Sequence, residues 1–425
     1  MQLVELHRVY PDEEYYNVLD NYCLKAKNLY NNALYHIRQY YIYCKNIEEG
    51  KSIENLDVPE EVKSFMQSKG KYIDYYNMDK LCKVLNSSLT EDYKSLPVAA
   101  CSQGVLKKLH QNWISFFKAL KTYKNEPDSF TGCPNIPRYL DKKNGRYNLV
   151  LTNQVCKIKD GTVAFPKTFN GFTVKTNIEK LQQVTISPKN GYYQIEIAYN
   201  VKEEPLKEEN NKYLSVDIGV TNLAAITNNF NGEQWLISGK PLKSVNQYYN
   251  KLLAYYKGRA KKENKKDTSK RIQDITRNRN DYIETYMHKA SKMLINLALN
   301  YDVSKIIIGY NQGWKQKVNL GDKTNQNFVT IPFNSFINKL KYKGLLCGIE
   351  VVTVEESYTS GTSFLDGEMP NKESYQKSRR VHRGLFKSNS GRTLNSDVNG
   401  SYQILKKYIG NYKVNPSSLK VLQVI

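Results

Sequence analysis

Leu214-Ser215-Val216-Asp217-Ile218-Gly219-Val220-Thr221-Asn222-Leu223-Ala224-Ala225-Ile226 reads as an apolar strand, a glycine turn and a second strand, with one carboxylate, Asp217, closing the first strand. Downstream, a long basic helical section runs to about Asn300, and Lys305-Ile306-Ile307-Ile308-Gly309 is a buried strand. A helix over Phe333 to Gly344 follows, and then the strand Ile349 to Val354, which ends at Glu355-Glu356. The last element, Asp397-Val398-Asn399-Gly400-Ser401-Tyr402-Gln403-Ile404-Leu405, opens a helix. If these strands form one sheet, Asp217 and Asp397 converge on one edge although 180 residues separate them. Carboxylates gathered there repel unless a hard divalent cation neutralises them, and Mg²⁺ prefers such oxygen ligands with water completing its octahedron. Taken alone, Asp397 also suits a helix N-cap.

Upstream of this mixed α/β region lie two others. Leu3 to Tyr10 is a short strand stopped at Pro11, and from about 12 to 125 the apolar residues recur at helical spacing, as in Leu19, Tyr22, Ala26, Leu29 and Tyr30. Four or five helices are expected there, their aromatic stripes mostly core. Gly, Pro and polar residues over 127–144 mark a boundary. Short strand-like runs then alternate with hairpin turns such as Lys159-Asp160-Gly161 and Lys189-Asn190-Gly191. This region reads as a small β barrel or sandwich that the N-terminal strand joins, which makes the helical bundle an insertion.

The composition restricts partners. Among 425 residues, 63 Lys plus Arg stand against 41 Asp plus Glu, a formal charge of +22, and a surface that basic attracts polyanions, nucleic acid first. Lys outnumbers Arg 51 to 12, so part of the excess reflects A- and T-rich codons. Clustering needs a further cause: Pro241 to Ala290 holds 13 basic residues against 5 acids, a local +8. Lys257, Arg259, Lys261, Lys262, Lys270, Arg271, Arg277 and Arg279 lie in it, and a nucleic-acid surface or a solvated helix face would both use them. The seven cysteines include no CxxC pair, and the five histidines have no metal-ligand spacing. Without an apolar run of membrane length or a secretory leader at Met1, a reduced, cytoplasmic setting with no membrane partner is expected.

SVDIGVTNLAAI resembles the first RuvC motif of TnpB, the transposon-encoded RNA-guided nuclease family related to the miniature type V CRISPR effectors, and NSDVNGSYQILKK resembles its third. Tyr286 to Ser291, Asn311 to Gln316, Asn327 to Phe333 and Glu356 to Ser360 match it in order over most of 212–407, while the first 205 residues match in layout only. The resemblance implies an α+β multidomain chain. Its parts would be a first wedge strand (1–10), a helical recognition lobe (11–125) inserted in a β-barrel wedge domain (126–206), and an α/β RNase-H-like RuvC domain (207–425). It further implies a guide RNA, a double-stranded DNA target with a short flanking motif, two Mg²⁺ ions, and a monomer as the simplest state. His288, Lys289, Trp314 and Lys315 fall in matching motifs, and Arg379, Arg380 and Arg383 form a basic loop that would touch the nucleic-acid backbone.

The chain departs from the family pattern twice. The family's second catalytic Glu ends the strand that here ends at Gly309. Glu355 and Glu356 end the next strand, about 4.8 Å away if parallel, so one of them, by its place beside the Tyr-Thr-Ser turn Glu356, would supply the ligand with Asp217 and Asp397. The CxxC pairs of a zinc ribbon are missing from the insertion near 360–392, so no zinc is expected. A nuclease-inactive RNA-guided repressor and a protein-only RNase-H-like transposase or resolvase are the competing readings.

Overall fold

The computed structural model describes residues 1–50, 64, 73–88, 90–265, 267–311, 331–382 and 384–424. The chain is a mixed α+β protein of two units, Met1–Val201 and Lys202–Ile425. The second unit begins five residues before the expected 207, because its leading segment already pairs within it. Glu204 N–H donates to the Leu345 carbonyl (3.3 Å) and Lys207 N–H to that of Gly348 (2.7 Å).

In the first unit, β1 (Gln2–Val9) is followed by the helices α1 (Tyr16–Glu48), α2 (Tyr75–Ser88) and α3 (Ala99–Asn125). The strands β2 (Leu149–Thr152), β3 (Lys157–Lys159), β4 (Thr162–Ala164), β5 (Thr173–Lys175), β6 (Leu181–Lys189) and β7 (Tyr192–Asn200) come after them. The first strand pairs antiparallel with β7 from Gln2↔Asn200 to Val9↔Tyr193, so the helices do interrupt a sheet, whose order is β1-β7-β6-β2. Asp160 and Gly161, both at positive φ (49° and 69°), turn β3 into β4. Among the described residues the strands form two separate antiparallel sheets, the second being β3-β4-β5, and not one closed barrel. Strands of three residues are too short for the tilt and stagger that closure requires. One hydrophobic core, with Leu19, Leu29, Leu106, Trp113, Val184 and Ile195 buried in it, joins helices and sheet, so the helices are not a separate lobe by packing.

The second unit centres on a six-stranded sheet. Its strands are β8 (Tyr213–Asp217), β9 (Asn222–Asn228), β10 (Gln234–Ser238), β11 (Lys305–Gly309), β12 (Glu350–Val354) and, after β13 (Arg380–His382), β14 (Leu385–Lys387) and β15 (Thr393–Asn395), the terminal β16 (Leu419–Leu422). The order is β12-β11-β8-β9-β10-β16, with β8, β9 and β10 antiparallel and with β8–β11, β11–β12 and β10–β16 parallel. Helices α4 (Lys240–Asn264), α5 (Lys270–Asn300), α6 (Phe333–Leu345) and α7 (Ser396–Ile409) surround it. The period of two along β8 sorts its faces: Leu214 and Val216 join the core with α5 and α6, while Tyr213 and Ser215 face α7. Asp217 inherits the α7 face. The insertion forms a small antiparallel sheet, β13-β14-β15. Among the described residues no helix is long and apolar enough to cross a membrane.

Candidate carboxylate site

Helix α7 lies unusually close to β8 because Gly400 and Ser401 face it. A Cβ on Gly400 would collide with Asp217 Oδ2. Ser215 Oγ donates to the Ser401 carbonyl (2.8 Å), Ser401 Oγ donates to the Ser215 carbonyl (2.9 Å), and Thr227 Oγ1 completes the buried seam at 2.9 Å from Ser401 Oγ. This seam brings the first turn of α7, and with it Asp397, to the end of β8. Asn395 rather than Asp397 caps the helix, accepting from Asp397 N–H (2.9 Å) and Val398 N–H (3.3 Å). The Asp397 carboxylate is thereby left to the site, where Asn222 Nδ2 donates to its Oδ2 (2.8 Å) and Arg380 Nη2 stands 3.6 Å from its Oδ1. Sequence reasoning missed Asn222; its place just after the first strand's turn was the available signal.

Glu356 supplies the third carboxylate. β11 and β12 run parallel with Gly309 opposite Val354, so Glu356 lies two residues past the partner of Gly309. A Cβ on Gly309 would lie 2.6 Å from Glu356 Oε1, so the side chain of Glu356 occupies the room that a residue with a side chain at 309 would need. Its backbone is fixed by Asn311 Oδ1, which accepts Glu356 N–H (2.9 Å), and by Thr359 Oγ1, which donates to the Glu356 carbonyl (2.8 Å). Glu355 does not join the site. Alternation along an extended chain turns it outward, its side chain is exposed, and its carbonyl accepts from Lys407 Nζ (3.1 Å).

The electrostatics show that the three acids share one field. Burial, then the charges of Glu356 and Asp397, hold the Asp217 carboxyl well above the ordinary range, and Arg380 pulls the other way. Burial pushes Glu356 up to about 7, against the pull of Lys407. Glu356 Oε1 is buried and takes no hydrogen bond from any described residue. Among the described residues no three His, Cys, Asp or Glu side chains form a ready-made metal site. A closed set is unnecessary for Mg²⁺, which takes one or two carboxylates and completes its shell with water and substrate phosphate. An unpartnered buried carboxylate oxygen among mutually repelling acids is the donor chemistry that such an ion fits.

The sequence-predicted basic residues divide. Lys257, Lys261, Lys262, Lys270 and Lys289 are exposed. Arg259 is exposed but paired with Glu263, Arg271 lies over the Tyr256 ring, and His288 sits 3.1 Å from Glu284. Arg277 pairs with Asp274 within α5, whereas Arg279 donates to Asn246 Oδ1 (2.8 Å) across the α4–α5 hairpin and so helps hold the two helices together. A groove of about 320 Å³ between α4 and α5 is lined by Tyr248, Leu252, Arg271, Asn278 and Tyr282 among others. Arg379 corrects the expectation of a surface contact: its side chain is 5 % exposed and grips Glu368 through both terminal nitrogens (2.5 and 2.7 Å). A buried guanidinium needs such a partner. Trp314, Lys315 and Arg383 lie outside the described residues.

The probable-transposase family OrfB_IS605 matches residues 196–315, from the end of β7 through β11. The Cas12f1-like TNB domain matches residues 333–404, which carry Glu356 and Asp397. The chain carries an OrfB_IS605-like segment followed by a Cas12f1-like TNB segment. It is 25% identical over 272 residues to the CRISPR-associated endodeoxyribonuclease Cas12f2 of Micrarchaeota archaeon (strain CG1_02_47_40). That match covers 60% of this chain and 48% of the other, so the chain spans about half the length of the curated relative it matches. Among solved structures, a Cas12f1–sgRNA–target DNA complex is similar at 16% identity over 95% of this chain and 98% of that one, with a TM-score of 0.36. A CRISPR-Cas12f ternary complex is similar at 12% identity over 91% and 80%, also at 0.36. In this chain the glycine at 309 and the glutamate at 356 are the positions that bear most directly on the chemistry of the site.

Proposed function

We propose that this chain is an RNA-guided DNA endonuclease whose site is Asp217, Glu356 and Asp397. The observation that carries the reading is that Glu356 and Asp397 both act on the buried Asp217 carboxylate, while Glu356 Oε1 is itself buried with no hydrogen-bond partner among the described residues. Residues 207–425 act as the RuvC nuclease domain with the insertion near 360–392, and residues 1–206 as wedge and recognition regions. Asp217, Glu356 and Asp397 would hold Mg²⁺, which when bound would supply activation of a water nucleophile and charge neutralisation at the phosphodiester. The protein's part is to hold three acidic side chains ready at one sheet edge. Asp217 and Asp397 are brought together by the β8–α7 seam, and Glu356 is fixed by Asn311 and Thr359. Asn222 orients the Asp397 carboxylate, and Arg380, partly exposed beside it, offers a guanidinium to the phosphate backbone. Lysines of the α4–α5 hairpin would neutralise nucleic-acid phosphates, while base pairing with a guide RNA reads the target and the protein reads a short flanking duplex.

The test is cleavage of a guide-matched plasmid by the purified protein with its co-purified RNA and Mg²⁺. Cutting that depends on the guide and is lost after RNase treatment is expected. Tight guide-dependent binding without cutting would leave a repressor, and cutting that survives RNase would leave a protein-only nuclease.

A further inference from the structure

The carboxylate at 356 stands on a loop beyond its strand, where backbone pairing no longer fixes it. Lys407, on α7 ten residues after Asp397, reaches that loop. Its Nζ donates to the Glu355 carbonyl (3.1 Å) and to Ser357 Oγ (2.6 Å), one residue to each side of Glu356. The helix that carries one acid of the site therefore holds the backbone that carries another. Since α7 is a rigid element rising about 1.5 Å per residue, the clasp fixes the loop relative to Asp397. A carboxylate on Gly309 would have had the β8–β11–β12 hydrogen bonds to locate it; one on the loop has none of these.

We infer that Lys407 is a positioning residue for Glu356, tying the loop on both sides of that carboxylate to helix α7 so that Glu356 and Asp397 can serve one metal pair. The inference rests on the carboxylate site proposed above. The role assigned to Lys407 is exerted through Glu356, by way of the Glu355 carbonyl and Ser357 Oγ. Partners of metal-binding side chains typically alter metal affinity 10- to 100-fold when removed.

Two readouts test this, both on the full chain: the Mg²⁺ concentration for half-maximal cleavage with RNA bound, and Mn²⁺ affinity of the RNA-free protein measured by electron paramagnetic resonance. Lys407→Met, which keeps the aliphatic stem, is expected to weaken both about tenfold. Lys407→Arg should recover most of the loss, and Ser357→Ala, which removes one anchor only, should weaken both two- to threefold. In a Glu356→Gln background Lys407→Met should cost no further Mn²⁺ affinity, because the side chain it positions no longer binds. A parent that binds Mn²⁺ alongside a Lys407→Met variant of equal affinity overturns the inference alone. A parent that binds no Mn²⁺ overturns the carboxylate site as well. If Lys407→Met does not fold, an unchanged Mn²⁺ affinity in Ser357→Ala is the overturning result.

Discussion

A side chain at position 309 and the side chain of Glu356 exclude one another: a Cβ on Gly309 would lie 2.6 Å from Glu356 Oε1 and 2.7 Å from its Cγ. The end of β11 carries no side chain, and the loop after its parallel neighbour fills the space with a carboxylate. The two positions behave as one choice, so a change at either is felt at the other.

Gly309→Ala alone should lower stability by about 1–3 kcal/mol in urea denaturation, since overpacking at a closed site costs that much. It should also reduce cleavage by displacing Glu356. Gly309→Glu combined with Glu356→Ala should regain measurable cleavage over Glu356→Ala alone, once Ile404, whose Cδ1 the added Cβ would strike, moves to another rotamer. A double variant as inactive as Glu356→Ala would show that position 309 cannot present a carboxylate to the site.

The neighbouring glutamates separate cleanly. Glu356→Gln should lower the cleavage rate at least about a hundredfold, since several kcal/mol of charge stabilisation depend on such a ligand. Glu355→Gln should cleave like the parent. Single-turnover rates with the RNA-loaded protein measure both.

Metal-free protein should lose stability as pH rises. Glu356 is near 7 in the folded chain, above its ordinary 4.5, so the folded state binds the proton more tightly. That contribution is complete below about 4.5 and is lost as pH climbs through about 7. Asp217 is shifted in the same direction. Melting temperature followed from pH 5 to pH 8 in chelator should fall, less steeply in Glu356→Gln, and added Mg²⁺ should offset the fall at the upper end. A melting temperature independent of pH and of Glu356 would contradict the buried-acid description.

Much of this architecture was legible because strand periodicity and glycine turns are local signals. The run from Leu214 to Ile226 gave two strands and Asp217 at their turn, and the joining of the N-terminal strand to the β region was expected, though its partner β7 was not. Glu356 was legible once the strands were taken as parallel neighbours. What was not legible depended on tertiary partners. Arg379 looks like any arginine of a basic loop until Glu368, eleven residues earlier, is seen opposite it. Arg279 looks like a surface cation until α4 is folded back and Asn246 meets it. Asn395 outcompetes Asp397 for the cap although only two positions separate them, a distinction below the resolution of pattern reading.

Arg379 and Glu368 hold an insertion that contains no cysteine. Arg379→Met should cost about 3 kcal/mol, because it leaves a largely buried carboxylate uncompensated. Arg379→Met with Glu368→Leu should recover most of that. A zinc chelator should leave the parent's urea transition unchanged; a shift to lower urea would show that a metal shares the work.

Salt dependence distinguishes the two kinds of basic residue on the hairpin. Lys257→Gln with Lys261→Gln and Lys262→Gln should reduce the slope of log affinity against log salt by roughly 0.7–0.9 for each phosphate no longer neutralised. Arg279→Gln should instead lower melting temperature with little change in slope, since its guanidinium is committed to Asn246.

The pairing of β1 with β7 also sets a timetable for synthesis. The first eight-residue strand leaves the ribosome early, yet its partner, Tyr192–Asn200, is made about 180 residues later. At about 5–20 residues per second, that leaves the strand waiting roughly 10–40 s. During that interval Val9, buried in the finished unit, lacks its cover while the helices are already able to form, whereas Val4 and Leu6 stay exposed even after pairing. The pairing of β1 is therefore among the last steps in finishing the first unit.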